Sequence, residues 1–366
     1  MNGRAVARVN LAAIERNCAR LAAMSPTLCA VVKANAYGHG AVECARAALA
    51  GGASWLGVAA ALEACELRDA GIAAPILVMG ALSRDELGWA LAAGADVVAW
   101  HEDLLDWARG HPGARVHVKL DTGMGRLGTR DGALAERLVE LVAAAPELEL
   151  VGVMTHLATA EHPDRAFMED QLERFASWAA PISERHPGLL LHGENSAALL
   201  GKGRARFGMA RAGGAVYGLD PFGVDPADHG LEPALALHSW VASCKPCTPG
   251  ESAGYGRTFV AREATELAVI PVGYGDGFRR VLSNNADVLI SGRRRPLVGT
   301  VSMDNVTVDL GTHSGVGVGT PAILIGRDGE ERITAEEIAE RAGTINYEVT
   351  CAISPRVPRG YHRDGA

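Results

Sequence analysis

Lys33 stands at the end of an apolar run from Leu28 and is followed by Ala34-Asn35-Ala36-Tyr37-Gly38-His39-Gly40. A primary amine at the rim of a dry strand loses hydration, which lowers its pKa and favours the neutral form that condenses with an aldehyde. The same place also suits a lysine that snorkels to solvent. A second lysine lies in Val116-His117-Val118-Lys119-Leu120-Asp121-Thr122-Gly123-Met124-Gly125-Arg126-Leu127-Gly128. Alternation puts Lys119 on one side of a strand with His117 and Asp121, and Arg126 emerges from a glycine-rich loop. Lys119 and Arg126 in one pocket repel unless an anion lies between them; otherwise Lys119 pairs with Asp121. His156 closes Met154-Thr155-His156, either as a satisfied core residue or as a reactive one. In His192-Gly193-Glu194-Asn195-Ser196, the Ser196 hydroxyl enters a helix, where it either caps the first turn or meets a phosphate. Arg211 precedes the glycine pair Gly213-Gly214, whose amides can approach an anion closely.

These residues need a scaffold that brings strand ends together. Apolar runs recur at Leu28 to Lys33, Trp55 to Ala60, Ile76 to Met79, Asp96 to Trp100, Val116 to Asp121, Leu150 to Thr155, Leu189 to His192 and Gly208 to Gly218. Ala/Leu-rich helical patterns lie between them, among them 41–50, Ala133 to Ala145, and Ala61 to Ala70 with Glu63, Glu66 and Arg68 on its wet face. Eight strands alternating with helices predict an α/β fold, a (β/α)8 TIM-like barrel, whose catalytic groups collect at the carboxyl ends of the strands. No Gly-x-Gly-x-x-Gly turn follows the first strand to favour an open dinucleotide-binding sheet. From about Leu235 the rhythm changes to short strands punctuated by glycine: Leu267 to Pro271, Asp287 to Ile290, Val306 to Leu310 and Ala322 to Ile325. That pattern predicts a smaller, mainly antiparallel β domain. One helix interrupts it, starting at Thr334 with Glu337 in a capping box and ending near Gly343. The expected division is 10–234 for the barrel, with 1–9 plus 235–366 as the second domain.

With 35 Lys and Arg against 43 Asp and Glu, the net charge is -8, which argues against an electrostatic nucleic-acid footprint. Arg293-Arg294-Arg295 is the local exception, read equally as a solvated strand turn or an anion site. No secretory signal or membrane span is visible, and seven scattered cysteines fit a reducing compartment, so the expectation is a soluble, cytoplasmic protein. Cys244 and Cys247 form a lone Cys-x-x-Cys pair, expected to pack in a strand rather than bind metal.

Lys33-Ala-Asn-Ala-Tyr-Gly-His-Gly closely resembles the pyridoxal-phosphate attachment site of alanine racemases, and the Lys119 to Gly128 block resembles that family's second signature. Four later blocks extend the likeness over nearly the whole chain: Ala253-Gly254-Tyr255-Gly256-Arg257-Thr258, Val272-Gly273-Tyr274-Gly275-Asp276-Gly277, Val301-Ser302-Met303-Asp304-Asn305 and Ile345-Asn346-Tyr347-Glu348. Singly, a Gly-Tyr-Gly reads as a glycine-flanked strand end. The resemblance implies an enzyme that interconverts L- and D-alanine with pyridoxal 5'-phosphate, supplying D-alanine for peptidoglycan. It implies Lys33 as the cofactor lysine and one base, with Tyr255 as the opposite base. His156 and Arg211 link to that tyrosine, and Arg211 also faces the pyridine nitrogen. Lys119 would be carbamylated and hold Arg126, which reaches the cofactor phenolate and the substrate carboxylate. Tyr37, Ser196, Gly213, Gly214 and Tyr347 fall at phosphate or cofactor contacts, and the Met303 backbone N–H at a carboxylate contact.

Racemisation removes the Cα proton from one face and delivers one to the other, so two bases flanking a stabilised carbanion suffice. Lysine and tyrosine both start near pKa 10 and need cationic or hydrogen-bonded neighbours, which Arg126 and Arg211 could supply. An arginine beside the ring nitrogen leaves it largely unprotonated, weakening the electron sink and favouring proton return over transamination. In the family the tyrosine and methionine come from the partner subunit, so a head-to-tail homodimer is expected. Two positions depart from the family: Ala212-Gly213-Gly214 stands where Arg-Pro-Gly and an aliphatic residue are common, and Ser302 where cysteine is frequent. The competing readings are a broad-specificity or serine racemase, a basic amino-acid decarboxylase of the same plan, and a non-catalytic pyridoxal-phosphate-binding protein. Tyr255 and Tyr347 would narrow the pocket toward a small side chain.

Overall fold

The computed structural model describes residues 3–364. By internal contacts the chain forms two units, one comprising Ile14–Ala36 and Ala41–Val216, the other the residues through Ala13, Tyr37–Gly40 and the chain from Tyr217.

The first unit is a closed parallel barrel of eight strands: Thr27–Val31, Trp55–Val58, Ile76–Val78, Asp96–Ala99, Ala114–Lys119, Leu148–Met154, Leu190–His192 and Met209–Ala212. The predicted runs mark the same strands because buried parallel strands are apolar on both faces. Closure is made by the first and last strands, with Thr27 opposite Met209 and Cys29 opposite Arg211. Inside, Cys29, Leu77, Val98, Met154 and Met209 form an apolar layer. The helices Ala41–Ala50, Ala61–Asp69 and Gly132–Ala144 lie close to their predicted spans.

Three readings need correction. The last strand ends at Ala212 rather than Gly218, because the chain turns into a short 3-10 helix at Gly214–Tyr217. The Asn/Tyr/Gly loop after Lys33 is a turn of left-handed helix, with Ala34, Asn35, Ala36 and Tyr37 all near φ 53°. L-residues there cost roughly 1 to 2 kcal/mol each. Glu63 and Arg68 do not simply face water. Glu63 accepts the amides of Ala34, Ala59 and Ala60 at 2.5, 2.8 and 3.0 Å, and Arg68 donates to the carbonyls of Ile72, Ala74 and Ala93.

The second unit holds a seven-stranded sheet in the order Arg293–Pro296, Asp287–Ile290, Pro321–Asp328, Leu235–Trp240, Val6–Asn10, Arg359–His362, with Glu331–Ile333 added to Pro321–Asp328. Its pairs are antiparallel except Val6–Asn10 with Arg359–His362. Of the 1–9 segment expected to join the second domain, Val6–Val9 lies in the strand Val6–Asn10; residues 1 and 2 lie outside the described residues. A three-stranded sheet joins Ser243–Cys247, Thr265–Ile270 and Val306–Gly311. The helix Ala335–Ala342 is capped by the Thr334 side chain, which accepts the Glu337 amide, and ends at Gly343 with φ 65°. Glu337 itself binds Arg294 rather than closing the box. A second helix, Asn346–Cys351, was not predicted, since its β-branched and polar residues show no helical period.

The arginine run is structural. Ser291 and Gly292, both at positive φ, turn the hairpin that pairs Ile290 with Arg293, and Arg294 pairs with Asp287, Glu331 and Glu337. Cys247 packs with Ala253, Ala261, Leu267 and Val298. Among the described residues no helix is long and apolar enough to cross a membrane, and no group of acidic, histidine or cysteine side chains could hold a metal ion.

Candidate active site

The carboxyl ends of the barrel strands gather a set of cations. Lys33 follows its strand by two residues and is half-buried. Lys119 ends its own strand at 4% exposure. Burial pushes the Lys119 ammonium down to about 8, with Arg211, Arg126 and Lys33 adding repulsion against the pull of Asp121. The pair with Asp121 does not form. Asp121 instead accepts the amides of Gly123, Met124 and Gly125 at 3.0, 2.7 and 3.1 Å and binds Arg130 at 3.1 Å. Burial alone would raise that carboxyl, but these donors outweigh it and hold it below the usual range. The anion thus organises the loop from which Arg126 projects, exposed. Gly128, at φ 113°, leaves the space a Cβ would take 3.0 Å from the Asp121 amide nitrogen.

His156 sits half-buried just past its strand. Burial, then Arg211, Lys119, Arg126 and Lys33, hold it well below its ordinary pKa and so neutral. Arg211 is 3% exposed and bonded through both terminal nitrogens. Its NH1 donates to His192 Nδ1 at 2.8 Å; its NH2 meets the Thr155 carbonyl at 2.8 Å, His156 Nδ1 at 3.2 Å and the Gly193 carbonyl at 3.3 Å. Among the described residues no acceptor takes its Nε–H. Burial lowers Arg211 to about 10, so it remains a cation at neutral pH.

Ser196 lies at the start of the helix Ser196–Lys202, but the cap is Asn195, whose side chain accepts the Ala198 amide at 3.0 Å. The Ser196 hydroxyl instead accepts the Gly213 amide at 2.9 Å and the Ala215 amide at 3.5 Å. A hydroxyl, the glycine-rich turn 213–214 and a helix start converge as in an anion cradle. The donor set therefore fits a ligand carrying an aromatic nitrogen for Arg211, a phosphate for the Ser196 turn and further negative charge for Lys33, Lys119 and Arg126. The barrel's buried Glu194 contributes one carboxylate, with Oε1 accepting the Arg206 amide and Oε2 unpaired.

The second unit carries the remaining candidates. Tyr37 lies tilted against Tyr217 with ring centroids 5.3 Å apart and meets Tyr347 edge-on at 5.6 Å. Burial raises the Tyr37 phenol, so it stays protonated and able to donate. Tyr255 begins a one-turn 3-10 helix and is 74% exposed, its carbonyl held by the Thr300 hydroxyl at 2.8 Å. Met303, three residues after Thr300, is 51% exposed. The Gly273-Tyr274-Gly275 block braces it: the Tyr274 amide donates to the Ser302 carbonyl at 3.0 Å and the Gly275 amide to the Met303 carbonyl at 2.9 Å. A Cβ on Gly273 would lie 2.2 Å from the Ser302 oxygen, so the glycine is needed for that approach. Ser302 closes its own turn onto Asn305 through both its hydroxyl contacts.

Reading the sequence missed Asp96 and Gly152 and gave His117 and His192 no role. In the structure His117 Nε2 lies 3.1 Å from Asp96 Oδ2 and its Nδ1 lies 2.9 Å from His192 Nε2. Two histidines at strand positions facing the barrel axis were the available signal.

Residues 9–221 match the family model for the alanine racemase N-terminal domain, and 234–361 that for the alanine racemase C-terminal domain. The chain is 43% identical over 364 residues to the alanine racemase of Symbiobacterium thermophilum, covering 97% of this chain and 96% of that one. It is 40% identical over 366 residues to the alanine racemase of Geobacillus stearothermophilus, covering 98% and 93%. The crystal structure of alanine racemase from D-cycloserine-producing Streptomyces lavendulae superposes with a TM-score of 0.93 at 36% identity, over 100% of this chain and 98% of that one.

Proposed function

The chain belongs to the alanine racemase family and is an amino-acid racemase, and from that premise we propose that it interconverts L- and D-alanine with pyridoxal 5'-phosphate through two bases on opposite faces of the substrate. The observation that carries this reading is Arg211, a buried cation fixed by two carbonyls and two imidazoles, with its Nε–H available to give to a ring nitrogen. Pyridoxal phosphate, when bound, supplies an aldehyde for amines and a ring that delocalises the electron pair left at Cα.

This chain's residues do the rest. Lys33 holds the cofactor and exchanges the Cα proton on one face; Tyr255 of the partner subunit exchanges it on the other. His156 accepts from Arg211 at Nδ1 and keeps Nε2–H to stabilise the Tyr255 phenolate. Ser196, Gly213, Gly214, Tyr37 and Tyr347 bind the phosphate. Arg126 and the Met303 amide of the partner subunit hold the substrate carboxylate. Lys119, acidified by burial and then by its cationic neighbours, reacts as the free amine with carbon dioxide, releasing a proton to water, and the resulting carbamate anion holds Arg126. The cluster of Lys33, Lys119, Arg126 and Arg211 around His156 supports the binding of anionic groups at the barrel mouth.

The exposure of Tyr255 and Met303, with Tyr274, Val281 and Ile345 also exposed, supports a head-to-tail homodimer in which each second domain completes the other barrel. The functional division is a cofactor-binding barrel at 10–234 and a second domain of 1–9 plus 235–366, acting in the cytoplasm to supply D-alanine for peptidoglycan. The test is α-deuterium uptake from L- and D-alanine in deuterated water. Tyr255→Phe should abolish uptake from one enantiomer and leave a slow exchange from the other; full-rate uptake from both overturns the two-base reading. Loss of a visible absorption band on borohydride treatment, absent in Lys33→Ala, tests the cofactor lysine.

A further inference from the structure

We propose that Asp96 and His117 are positioning residues for the racemase reaction: through His192 they decide which nitrogen faces Arg211, and so hold its guanidinium as the donor to the cofactor's ring nitrogen. The inference rests on the reading of Arg211 as the partner of that nitrogen.

The chain crosses the barrel interior from one end to the other. Asp96 opens its strand and Arg115, beside it, lies near the start of the next; His117 is in the middle, and His192 ends its strand at the rim. Asp96 Oδ1 accepts Arg115 Nε at 2.9 Å, and its Oδ2 is 3.1 Å from His117 Nε2. His117 Nδ1 is 2.9 Å from His192 Nε2, and His192 Nδ1 is 2.8 Å from Arg211 NH1. Asp96 is 1% exposed and both imidazoles are fully buried.

The proton positions follow from the two ends. A carboxylate only accepts, and a guanidinium only donates. Asp96 therefore accepts a hydrogen bond from His117 Nε2–H, which leaves His117 Nδ1 an acceptor for His192 Nε2–H. That in turn leaves His192 Nδ1 bare for Arg211. Burial holds both imidazoles below their ordinary pKa and therefore neutral, so each has one donor and one acceptor to place. The opposite arrangement would set two N–H groups against each other at Arg211. Through this chain Asp96 also acts as a remote counter-anion to a buried cation.

The backbone is shaped to admit the chain. Pairing slips between Val116 and His117, and His117 comes opposite Gly152. A Cβ at Gly152 would sit 2.7 Å from His117 Nδ1, where the imidazole needs to meet His192. Trp55 packs edge-on against the His117 ring at 5.8 Å.

The experiment has two arms. Imidazole nitrogen NMR of the full-length protein without cofactor should show His117 and His192 both protonated at Nε2 only, whereas protonation of His192 at Nδ1 overturns the proposal without any variant. In the holoenzyme, Asp96→Asn removes the counter-anion and makes Arg211 a stronger donor. Racemisation events per transamination, counted from released pyruvate, should then fall about tenfold, the effect of one pKa unit at the donor. KM for alanine should stay unchanged. Arg115→Gln breaks the ion pair to Asp96 but leaves the imidazoles in line, and should keep the wild-type ratio. An unchanged ratio in Asp96→Asn, or an equal fall in Arg115→Gln, overturns the proposal. Failure of the wild-type protein to bind pyridoxal phosphate or racemise alanine would sink the functional reading instead, and the tautomers would still be readable.

Discussion

The Glu63 carboxylate lies 2.5 Å from the amide nitrogen of Ala34, the first residue of the left-handed turn that follows Lys33. The second oxygen holds the amides of Ala59 and Ala60 at the end of the neighbouring strand. One side chain thus ties the lysine-bearing turn to the next barrel strand. Four consecutive left-handed residues are unfavourable in isolation and persist only where the surroundings over-determine them. The Asn35 side chain helps, accepting the Ala41 amide at 2.8 Å.

Glu63→Ala should therefore destabilise the fold by about 1 to 3 kcal/mol, the cost of leaving backbone donors without their acceptor. Because the turn carries Lys33, cofactor loading should drop more than the stability loss alone explains. Urea unfolding and absorbance titration measure the two effects; equal loading in the variant would detach the turn from the lysine.

Lys119 gives a pH dependence with a definite sign. Its pKa falls from 10.5 to about 8 on folding, so between these values the unfolded chain binds more protons than the native one. Stability should rise as pH climbs through that window, by about 3 kcal/mol at most, and the penalty is fully present below pH 8. Urea midpoints measured in carbon-dioxide-free buffer should show this rise in the wild type and lose it in Lys119→Gln. Added bicarbonate should stabilise the wild type and leave Lys119→Gln unaffected.

Gly273→Ala tests the brace under Met303. The new Cβ would meet the Ser302 oxygen at 2.2 Å and displace the loop that presents the Met303 amide. A shift of about 1 Å at a substrate contact can cost up to about a hundredfold in catalysis. KM for alanine should rise while the spectrum of the bound cofactor stays unchanged; an unaltered KM would separate this loop from the substrate.

Ser196→Ala leaves the Gly213 and Ala215 amides without their hydroxyl acceptor. Removing that group from the cradle should weaken cofactor binding roughly tenfold, the effect of one lost hydrogen bond to a charged group. Equilibrium dialysis against pyridoxal phosphate reads it directly. The helix should survive, since its cap is Asn195.

The barrel was legible in the sequence because the signals that mark it are local. Apolar runs of strand length alternate with helical periodicity, and a buried parallel strand carries its identity in four or five adjacent residues. The Thr334 cap and the glycine that ends its helix were readable for the same reason, as were the motifs that group the chain with a family. The left-handed turn was not, because Ala34 and Ala36 carry no preference for it and the groups that stabilise it include a carboxylate 29 positions away. Nor could adjacency along the chain tell that Tyr37–Gly40 would join one unit while Lys33 joined the other.

What the sequence by itself determined was which residues carry chemistry and the order of elements that presents them. Tertiary structure alone decided the partners: Asp121 for the loop amides instead of Lys119, Glu63 for the turn, and Asp96, His117 and His192 in line behind Arg211. Those last contacts join residues 75 and 21 positions apart in the chain. They exist because closing the barrel brings strands that are distant in sequence face to face across a dry interior, where a buried donor left without an acceptor is costly.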